Sequence, residues 1–407
     1  MVMSNPNNVS QNIKHDLEFI DGHALNIATL KVLDANGEIY PDAVEPDMAQ
    51  DTALHIYRTM RFIRALDERM QAAQRQGRVS FYMQCLGEEA AITASAAALD
   101  INDMIMAQYR EQAALRYRGF TLDQFMNQMF SNELDPAKGR QMPIHYGSKA
   151  LNYMTISSPL ATQIPQATGY AYGQKVKHVD KDTNTLSSQI DNITMCYFGE
   201  GAASEGDFHA GLNMAAVLKA PVIFFARNNG YAISTPAEEQ FAGDGIASRG
   251  VGYGIKTIRV DGTDALAVYA ATKKAREICT MTGEPILIES IAYRVGAHST
   301  SDDPSGYRSK QEEADNSETC PIKRFEAWLL KKQWLDLDAE NKLDEQVREE
   351  ILEALKVAEK VAKPELIDLI TDVYDTPIPS LTRQFDELEA HIKKHPQAYP
   401  TTAGRLK

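Results

Sequence analysis

The sequence has few cysteines, no long apolar run and no excess of basic residues. Its four cysteines, Cys85, Cys196, Cys279 and Cys320, lie far apart among the 407 residues, so they form neither a paired zinc spacing nor a disulfide framework. Such thiols suit a reduced cytosol, and we therefore expect a cytoplasmic protein. The apolar runs fall well below the roughly 18 residues that span a bilayer, so no membrane segment is expected.

The charge balance excludes a further class of partner. The chain has 42 Lys and Arg against 56 Asp and Glu, a formal net charge of −14. Because nucleic-acid binding draws on a basic surface, no nucleic-acid partner is predicted. A small anionic ligand stays compatible, since it needs only a local cluster of positive groups. The opening residues show neither an apolar h-region nor an Arg-rich amphipathic face, so we predict no secretory or transit peptide.

Hydrophobic periodicity predicts an α/β protein with extensions at both ends. Residues 1–50 are polar and contain several prolines and glycines, which predicts an arm with one short strand-like piece. Residues 51–320 begin with two helices and then alternate strands with helices, which is typical of a doubly wound, mainly parallel sheet. Residues 321–407 form a helical extension that we expect to pack on the core and on a partner subunit. Ligands of such sheets bind beyond the carboxyl ends of the strands.

The candidate functional residues directly follow two of the predicted strands of this sheet. Gly199-Glu200-Gly201 comes after the first strand, and Asn228-Asn229-Gly230 comes one helix and one strand later. Glu200 and the Asn229 amide oxygen suit Mg²⁺, a hard cation that also takes phosphate oxygens. The helix after the glycine-rich turn offers free N–H groups to an anion, and Gly201 permits close backbone approach. The plain alternative is an ordinary strand-to-helix turn.

These two segments together resemble the bipartite thiamin-diphosphate motif, Gly-Asp-Gly followed by Asn-Asn. Glu200 stands where the general motif has aspartate, and this variant resembles the alpha subunits of branched-chain 2-oxo acid dehydrogenases. The resemblance extends from about residue 57 to residue 399, and its most specific parts are residues 107–111, 139–146, 155–163, 200–231 and 293–303. It implies the thiamin-diphosphate-binding fold of the diphosphate-binding type.

The resemblance also implies site residues. Mg²⁺ would be bound by Glu200, Asn229 and the carbonyl of Tyr231. The residues implied around thiamin diphosphate are Gln108, Tyr109, Arg110, Ser158, Leu160, Glu200, Gly201, Ala202, Arg227, Asn229 and His298. Arginine suits a phosphate because its planar fork pairs bidentately with the oxygens. An arbitrary arginine is otherwise a surface ion-pair residue, and an apolar loop residue such as Leu160 is otherwise part of the core.

Two further assignments carry plain alternatives. Ser157, Pro159, Thr162 and Gln163 correspond to oxygens that hold a monovalent cation such as K⁺ in similar proteins, and the alternative is a simple turn network. His298 lies in a segment rich in Gly, Ser and Asp, which indicates a mobile loop. By resemblance it is the catalytic residue of this chain, orienting the cofactor and the incoming lipoyl group. A random loop histidine would instead be merely solvated.

The implied activity is oxidative decarboxylation of branched-chain 2-oxo acids, such as 3-methyl-2-oxobutanoate, with acyl transfer to a lipoyl acyltransferase core. No separate pyrimidine-binding domain can be identified in this chain, and the resemblance to two-subunit enzymes implies that a beta subunit completes the active site in an α2β2 heterotetramer. The alternatives are a pyruvate or acetoin dehydrogenase alpha subunit and a non-catalytic scaffold subunit. A nicotinamide fingerprint is not met, because Ser204 holds the place of its third glycine.

Overall fold

The computed structural model describes residues 15, 17, 19–180, 182–183, 185–317 and 319–399. Residues 1–14, 16 and 18 of the predicted arm and residues 400–407 of the predicted extension lie outside the described residues. The strands of the described part are β1 (Thr29–Leu30), β2 (Met104–Met106), β3 (Thr194–Gly199), β4 (Val222–Asn228), β5 (Tyr231–Ala232), β6 (Thr235–Pro236), β7 (Lys256–Asp261) and β8 (Ile286–Ile291).

Six of these strands form one parallel sheet, in the order β1-β7-β8-β4-β3-β2, and β5 and β6 form a small antiparallel hairpin. Every neighbouring pair within the six-stranded sheet is parallel. Strands β3, β4, β7 and β8 alternate with helices in the middle of the chain, as the periodicity of residues 51–320 predicts. The predicted α/β class with a mainly parallel sheet is therefore confirmed.

Helices cover both faces of the sheet. In the described part they are α1 (Gln50–Arg75), α2 (Glu89–Ala97), α3 (Gln112–Tyr117), α4 (Leu122–Met129), α5 (Gln163–Val176), α6 (Gly206–Leu218), α7 (Ala237–Gln240), α8 (Ala247–Gly252), α9 (Ala265–Thr282), α10 (Lys310–Ser317), α11 (Pro321–Lys331), α12 (Leu337–Lys360), α13 (Asp368–Thr371) and α14 (Pro379–Lys394). Helix α9 packs against β4, β7 and β8, and α5 packs against β3 and β4.

Alternating residues of the central strands divide the core into two layers. Met195 and Tyr197 of β3 belong to the larger apolar cluster with α1, α2 and α9, whereas Cys196 and Phe198 belong to the cluster with α5 and α6. Successive side chains of a strand point to opposite faces, so a strand buried on both sides is apolar throughout. This is why β3 and β4 read as continuous apolar runs.

The C-terminal helices meet the core through α1. Helices α11 and α12 pack on α1, and Phe325, Trp328 and Leu355 are buried in the larger apolar cluster. Helix α14 has no buried residue. Contact of this region with a partner, and the division at residues 50 and 320, stay predictions. Across the residues that the structure describes, every helix is too short or too polar to be a membrane span.

Candidate cofactor and metal site

The two strand ends singled out from the sequence lie side by side. Gly199 of β3 is opposite Arg227 of β4, so Glu200 and Asn229 follow at the same edge of the sheet. The backbone N–H of Asn229 donates to Glu200 Oε2 at 3.4 Å. Both side chains are buried, with 2% and 4% of their surface exposed. The parallel register of β3 and β4 thus brings a carboxylate and an amide together.

The backbone of Tyr231 returns to the same point. Gly230, with a φ of +89°, turns the chain in a conformation that favours glycine. The N–H of Tyr231 then donates to Asn229 Oδ1 at 3.3 Å, and the Tyr231 carbonyl accepts a long hydrogen bond from Arg294 Nη1 at 3.4 Å. One carboxylate, one amide oxygen and one carbonyl oxygen therefore come from two adjacent strand ends.

The electrostatics of Glu200 fit a bound cation. Burial raises the pKa of Glu200 to about 7, and the negative charge of Glu88 also raises it. A nearby positive charge is what favours the ionised form of such a carboxylate. Magnesium commonly takes one or two carboxylates together with neutral oxygens and phosphate oxygens. The residues present fit Mg²⁺ bound to a diphosphate.

Behind this edge, Arg227 joins two fully buried glutamates. Its Nη1 lies 2.5 Å from Glu88 Oε2, and its Nε lies 2.6 Å from Glu111 Oε1. The other oxygen of Glu88 accepts a hydrogen bond from Asn229 Nδ2 at 2.8 Å. Burial opposes the ionised form of Glu88, but the charges of Arg227 and Arg110 leave its pKa lowered. The guanidinium of Arg227 is thus held in one orientation at the strand end.

Glu111 also fixes the 108–109 backbone. Its Oε2 accepts hydrogen bonds from the N–H groups of Gln108 and Tyr109, both at 2.9 Å. The Gln108 side chain in turn accepts the N–H of Gly199 at 2.6 Å, which ties this segment to the end of β3. The predicted cofactor residues of this segment are therefore hydrogen-bonded directly to the predicted metal edge.

A cavity of about 390 Å³ opens at this edge, within the size range of small-molecule sites. Of the residues predicted around the cofactor and metal, those lining it are Gln108, Tyr109, Arg110, Leu160, Glu200, Gly201, Ala202, Arg227, Asn229, Tyr231 and His298. Gly201 is needed for close packing, because a Cβ there would lie 2.9 Å from Ala232 Cβ. Ser158 does not line the cavity, and its Oγ lies 2.9 Å from His145 Nε2 instead.

The turn after Glu200 leads into a helix, as the sequence predicts. A short 3₁₀ helix, Ala202–Ser204, comes first, and α6 begins only at Gly206. Four residues, Ala202 to Glu205, therefore separate Gly201 from the first residue of α6. The free N–H groups expected near the phosphate belong to this intermediate turn as well as to α6.

His298 is held as a neutral imidazole. Burial and, after it, the positive charges of Arg110 and Arg294 together lower its pKa to about 3. Its Nδ1 lies 3.2 Å from Arg110 Nη2 and 3.5 Å from Arg294 Nη1, both of which can only donate. Nδ1 is therefore the acceptor, and the ring hydrogen is on Nε2.

The loop around His298 is pinned by hydrogen bonds. Asp302 Oδ2 accepts the N–H of His298 at 2.7 Å and the hydroxyl of Tyr307 at 2.6 Å. Arg294 Nη2 donates to Tyr307 Oη at 2.9 Å and to the carbonyl of Ile233 at 2.6 Å. Arg294, Asp302 and Tyr307 therefore hold the loop in place around His298.

The four residues of the predicted monovalent-cation site lie before and at the start of α5. Thr162 Oγ1 donates to Ser157 Oγ and to the Pro159 carbonyl, both at 3.1 Å. Gln163 Nε2 donates to the carbonyl of Tyr197 at 3.0 Å. Hydrogen bonds within the turn account for these distances, so the cation site stays a prediction.

Sequence reasoning missed Glu88 and Glu111 as members of the site. Glu88 follows Leu-Gly and precedes a helix of small residues, where an acidic residue is ordinarily a favourable helix start. Its buried position would have been indicated only by the apolar and small residues on both sides. Glu111 lies within the motif at residues 107–111 and was not assigned a role.

Comparison with known proteins agrees with this geometry. Residues 57–367 match the family model described as Dehydrogenase E1 component. The chain belongs to this family, whose members are oxidoreductases that use thiamin diphosphate. The match includes five strands of the six-stranded sheet, the two strand ends at Glu200 and Asn229, and the His298 loop. The family predicted from the motif is therefore confirmed.

Several similar proteins are alpha subunits of 2-oxoisovalerate dehydrogenase. The chain is 47% identical over 386 residues to the mitochondrial 2-oxoisovalerate dehydrogenase subunit alpha of Mus musculus, covering 94% of this chain and 85% of the relative. It is 47% identical over 371 residues to that of Caenorhabditis elegans, covering 91% and 84%. It is 46% identical over 386 residues to that of Homo sapiens, covering 94% and 84%.

One prediction is wrong. The cytoplasmic location was inferred from the scattered cysteines and from the opening residues. The relatives named above are all mitochondrial proteins, as are those from Arabidopsis thaliana, and this points to a mitochondrial location. Free thiols are compatible with both the cytosol and mitochondria, so the cysteines could not show in which of the two the protein is located.

Proposed function

We propose that this chain is the alpha subunit of a branched-chain 2-oxo acid dehydrogenase, acting on 2-oxo acids such as 3-methyl-2-oxobutanoate. The observation that carries the proposal is the joint presence of Glu200, Asn229, Arg110 and His298 around one cavity in a chain of this family. The names of the most similar relatives support the branched-chain substrate. Reductive acylation of lipoyl groups on an acyltransferase completes the proposed reaction.

In this proposal Glu200, Asn229 Oδ1 and the Tyr231 carbonyl would hold Mg²⁺, which would supply positive charge for binding the cofactor diphosphate. Arg110 and Arg227 supply positive charge to the same phosphates, and Gln108, Tyr109, Gly201 and Ala202 surround them. Arg227 already has two buried carboxylate partners, so its net contribution is smaller than that of an unpaired arginine. A bound cation would neutralise the negative charge of the diphosphate that Arg110 and Arg227 leave uncompensated.

The electron storage that follows loss of carbon dioxide is chemistry that thiamin diphosphate supplies when bound. His298 has a different task in this chain. As a neutral ring with its hydrogen on Nε2, it can donate one hydrogen bond toward the cavity. Leu160 remains 39% exposed at the cavity, and we place it beneath the cofactor. Ser158 would act on the cofactor site indirectly, through its contact with His145.

We assign the remaining part of the active site to a beta subunit in an α2β2 assembly that docks on a lipoyl acyltransferase core. Family membership supports a beta partner in general. Ser157, Pro159, Thr162 and Gln163 would bind K⁺ beneath the loop that carries Leu160. Thr162 Oγ1 lies 3.1 Å from both Ser157 Oγ and the Pro159 carbonyl oxygen, so the turn brings these oxygens close together.

The substrate is tested with the chain purified together with its beta subunit. Decarboxylation rates are compared for 3-methyl-2-oxobutanoate and pyruvate, with thiamin diphosphate and Mg²⁺ present. We expect kcat/KM for 3-methyl-2-oxobutanoate to exceed that for pyruvate by about tenfold or more. In an apolar pocket that fits a branched side chain, each methylene that the substrate lacks removes roughly 1–3 kcal/mol of binding free energy. A higher kcat/KM for pyruvate would instead identify a pyruvate dehydrogenase.

A further inference from the structure

We propose that Glu88 is a positioning residue that sets the orientation of the Asn229 amide, so that its oxygen rather than its nitrogen faces the metal. This inference rests on the proposed function and assigns a role to a residue outside the predicted cofactor and metal residues. Glu88 is 0% exposed and lies at the start of α2, on an element distant in sequence from both strand ends.

The orientation of an asparagine amide decides whether it can bind a cation. The oxygen accepts and can ligate Mg²⁺, whereas the NH₂ group only donates. Glu88 Oε1 accepts a hydrogen bond from Asn229 Nδ2 at 2.8 Å. On the other side, the N–H of Tyr231 donates to Asn229 Oδ1 at 3.3 Å. A reversed amide would set oxygen against the Glu88 carboxylate and NH₂ against a backbone N–H.

Glu88 must also accept from Arg227. Its second oxygen lies 2.5 Å from Arg227 Nη1. Both of its neighbours are donors, so the side chain at this position needs two acceptor atoms. A carboxylate provides them, whereas a glutamine amide provides one acceptor and one donor. Substitution of Glu88 by glutamine therefore leaves one donor facing a donor, and the Asn229 amide loses the contact that orients it.

The adjacent carboxylate provides a matched control. Glu89 is equally buried and also ion-paired, but its partners are Arg64 at 2.6 Å and the N–H of Gly87 at 2.9 Å. It contacts neither Asn229 nor Arg227. Glu89→Gln thus reproduces the loss of a buried charge at the start of α2 without touching the metal edge.

The test uses the full chain assembled with its beta subunit. Isothermal titrations with thiamin diphosphate are made at a series of Mg²⁺ concentrations. They give the Mg²⁺ concentration at which cofactor binding is half-maximal. Glu88→Gln is expected to raise this concentration by about tenfold or more, the usual effect of removing one buried hydrogen-bond partner. Glu89→Gln is expected to change it less than about twofold, because it acts only on stability.

The decisive variant exchanges the two side-chain types. In the double variant Glu88→Gln, Asn229→Asp, the amide at position 88 can donate to the new carboxylate while its oxygen still accepts from Arg227. Both oxygens at position 229 then accept, so orientation no longer matters. The exchange is expected to restore the Mg²⁺ requirement to within about threefold of the wild type.

The single variant Asn229→Asp sets two carboxylates against each other and is expected to bind Mg²⁺ about tenfold more weakly than the exchanged pair. If Glu88→Gln alone fails to fold, the proposal is tested by comparing Asn229→Asp with the double variant. An exchanged pair no better than either single variant would overturn the role of Glu88. An unchanged Mg²⁺ requirement in Glu200→Ala would instead overturn the proposed metal site itself.

Discussion

At the scale of single residues, the site depends on groups whose protonation is set by burial. His298 is the clearest case, because two arginines and desolvation keep it neutral where an exposed histidine would titrate. Its Nδ1 accepts from Arg110, which also donates to the His298 carbonyl at 2.6 Å. A neutral ring is fixed in one tautomer, and the position of its hydrogen is therefore defined by structure rather than by pH.

This neutrality predicts a specific acid sensitivity. The pKa of His298 is lowered from 6.5 to about 3, so below about pH 6.5 the unfolded chain takes up a proton that the folded chain does not. The free energy of unfolding therefore falls as pH falls from 6.5 toward 3. His298→Asn is expected to lose less thermal stability between neutral pH and about pH 5 than the wild type does.

The measurement is the difference in Tm between the two pH values for each protein. His15→Asn serves as the control, since His15 is exposed. If His298→Asn and the wild type lost the same amount of Tm on acidification, His298 would not be held neutral in the folded protein.

At the scale of elements, the His298 loop rests on the segment that precedes α2. The N–H of Val295 donates to the Leu86 carbonyl at 3.1 Å, and the N–H of Thr300 donates to the Tyr82 carbonyl at 3.2 Å. Directly after Leu86, Gly87 adopts a φ of +93°, and an added Cβ would collide with the Tyr293 carbonyl oxygen. The loop and the segment are therefore packed backbone to backbone.

Gly87→Ala is expected to separate these two segments. The substitution combines a left-handed backbone with a backbone collision, and together these cost about 2–4 kcal/mol. We expect a lower free energy of unfolding in urea and faster cleavage of the His298 loop by a protease. Gly252→Ala is the control, because nothing lies within 4 Å of its added Cβ and its φ is not in the left-handed region. Equal stability of the two variants would contradict this packing.

The elements also show what could be predicted from the sequence. Glu200 and Asn229 were accessible because each directly follows an apolar strand, and parallel strands end at one edge. The contact of Glu88 with Asn229 joins residues 141 positions apart, and no local pattern encodes such a pairing. Likewise, the pairing of β1 with β7 at the sheet edge depends on tertiary packing rather than on the two residues of β1. Ser158 was assigned by resemblance, and local packing turns it toward His145.

At the scale of the whole molecule, the proposed function gives the described chain one side of a shared active site. It holds the charged end of the proposed ligand, between buried carboxylates and two arginines, while Leu160 stays partly exposed. We therefore expect the full-length chain alone to bind thiamin diphosphate with Mg²⁺ but not to decarboxylate 3-methyl-2-oxobutanoate. Carbon dioxide release by the chain, with and without its beta subunit, measures this. Release by the purified chain alone would contradict a shared active site.

The central claim is that Glu200 binds the Mg²⁺ that carries the cofactor diphosphate. Its most direct test is Mg²⁺-dependent binding of thiamin diphosphate to Glu200→Ala, measured by isothermal titration on the assembled protein. The variant loses the only carboxylate proposed as a ligand, so cofactor affinity is expected to fall by about a hundredfold and to stop responding to Mg²⁺. Cofactor affinity equal to that of the wild type, with the same dependence on Mg²⁺, would contradict the account.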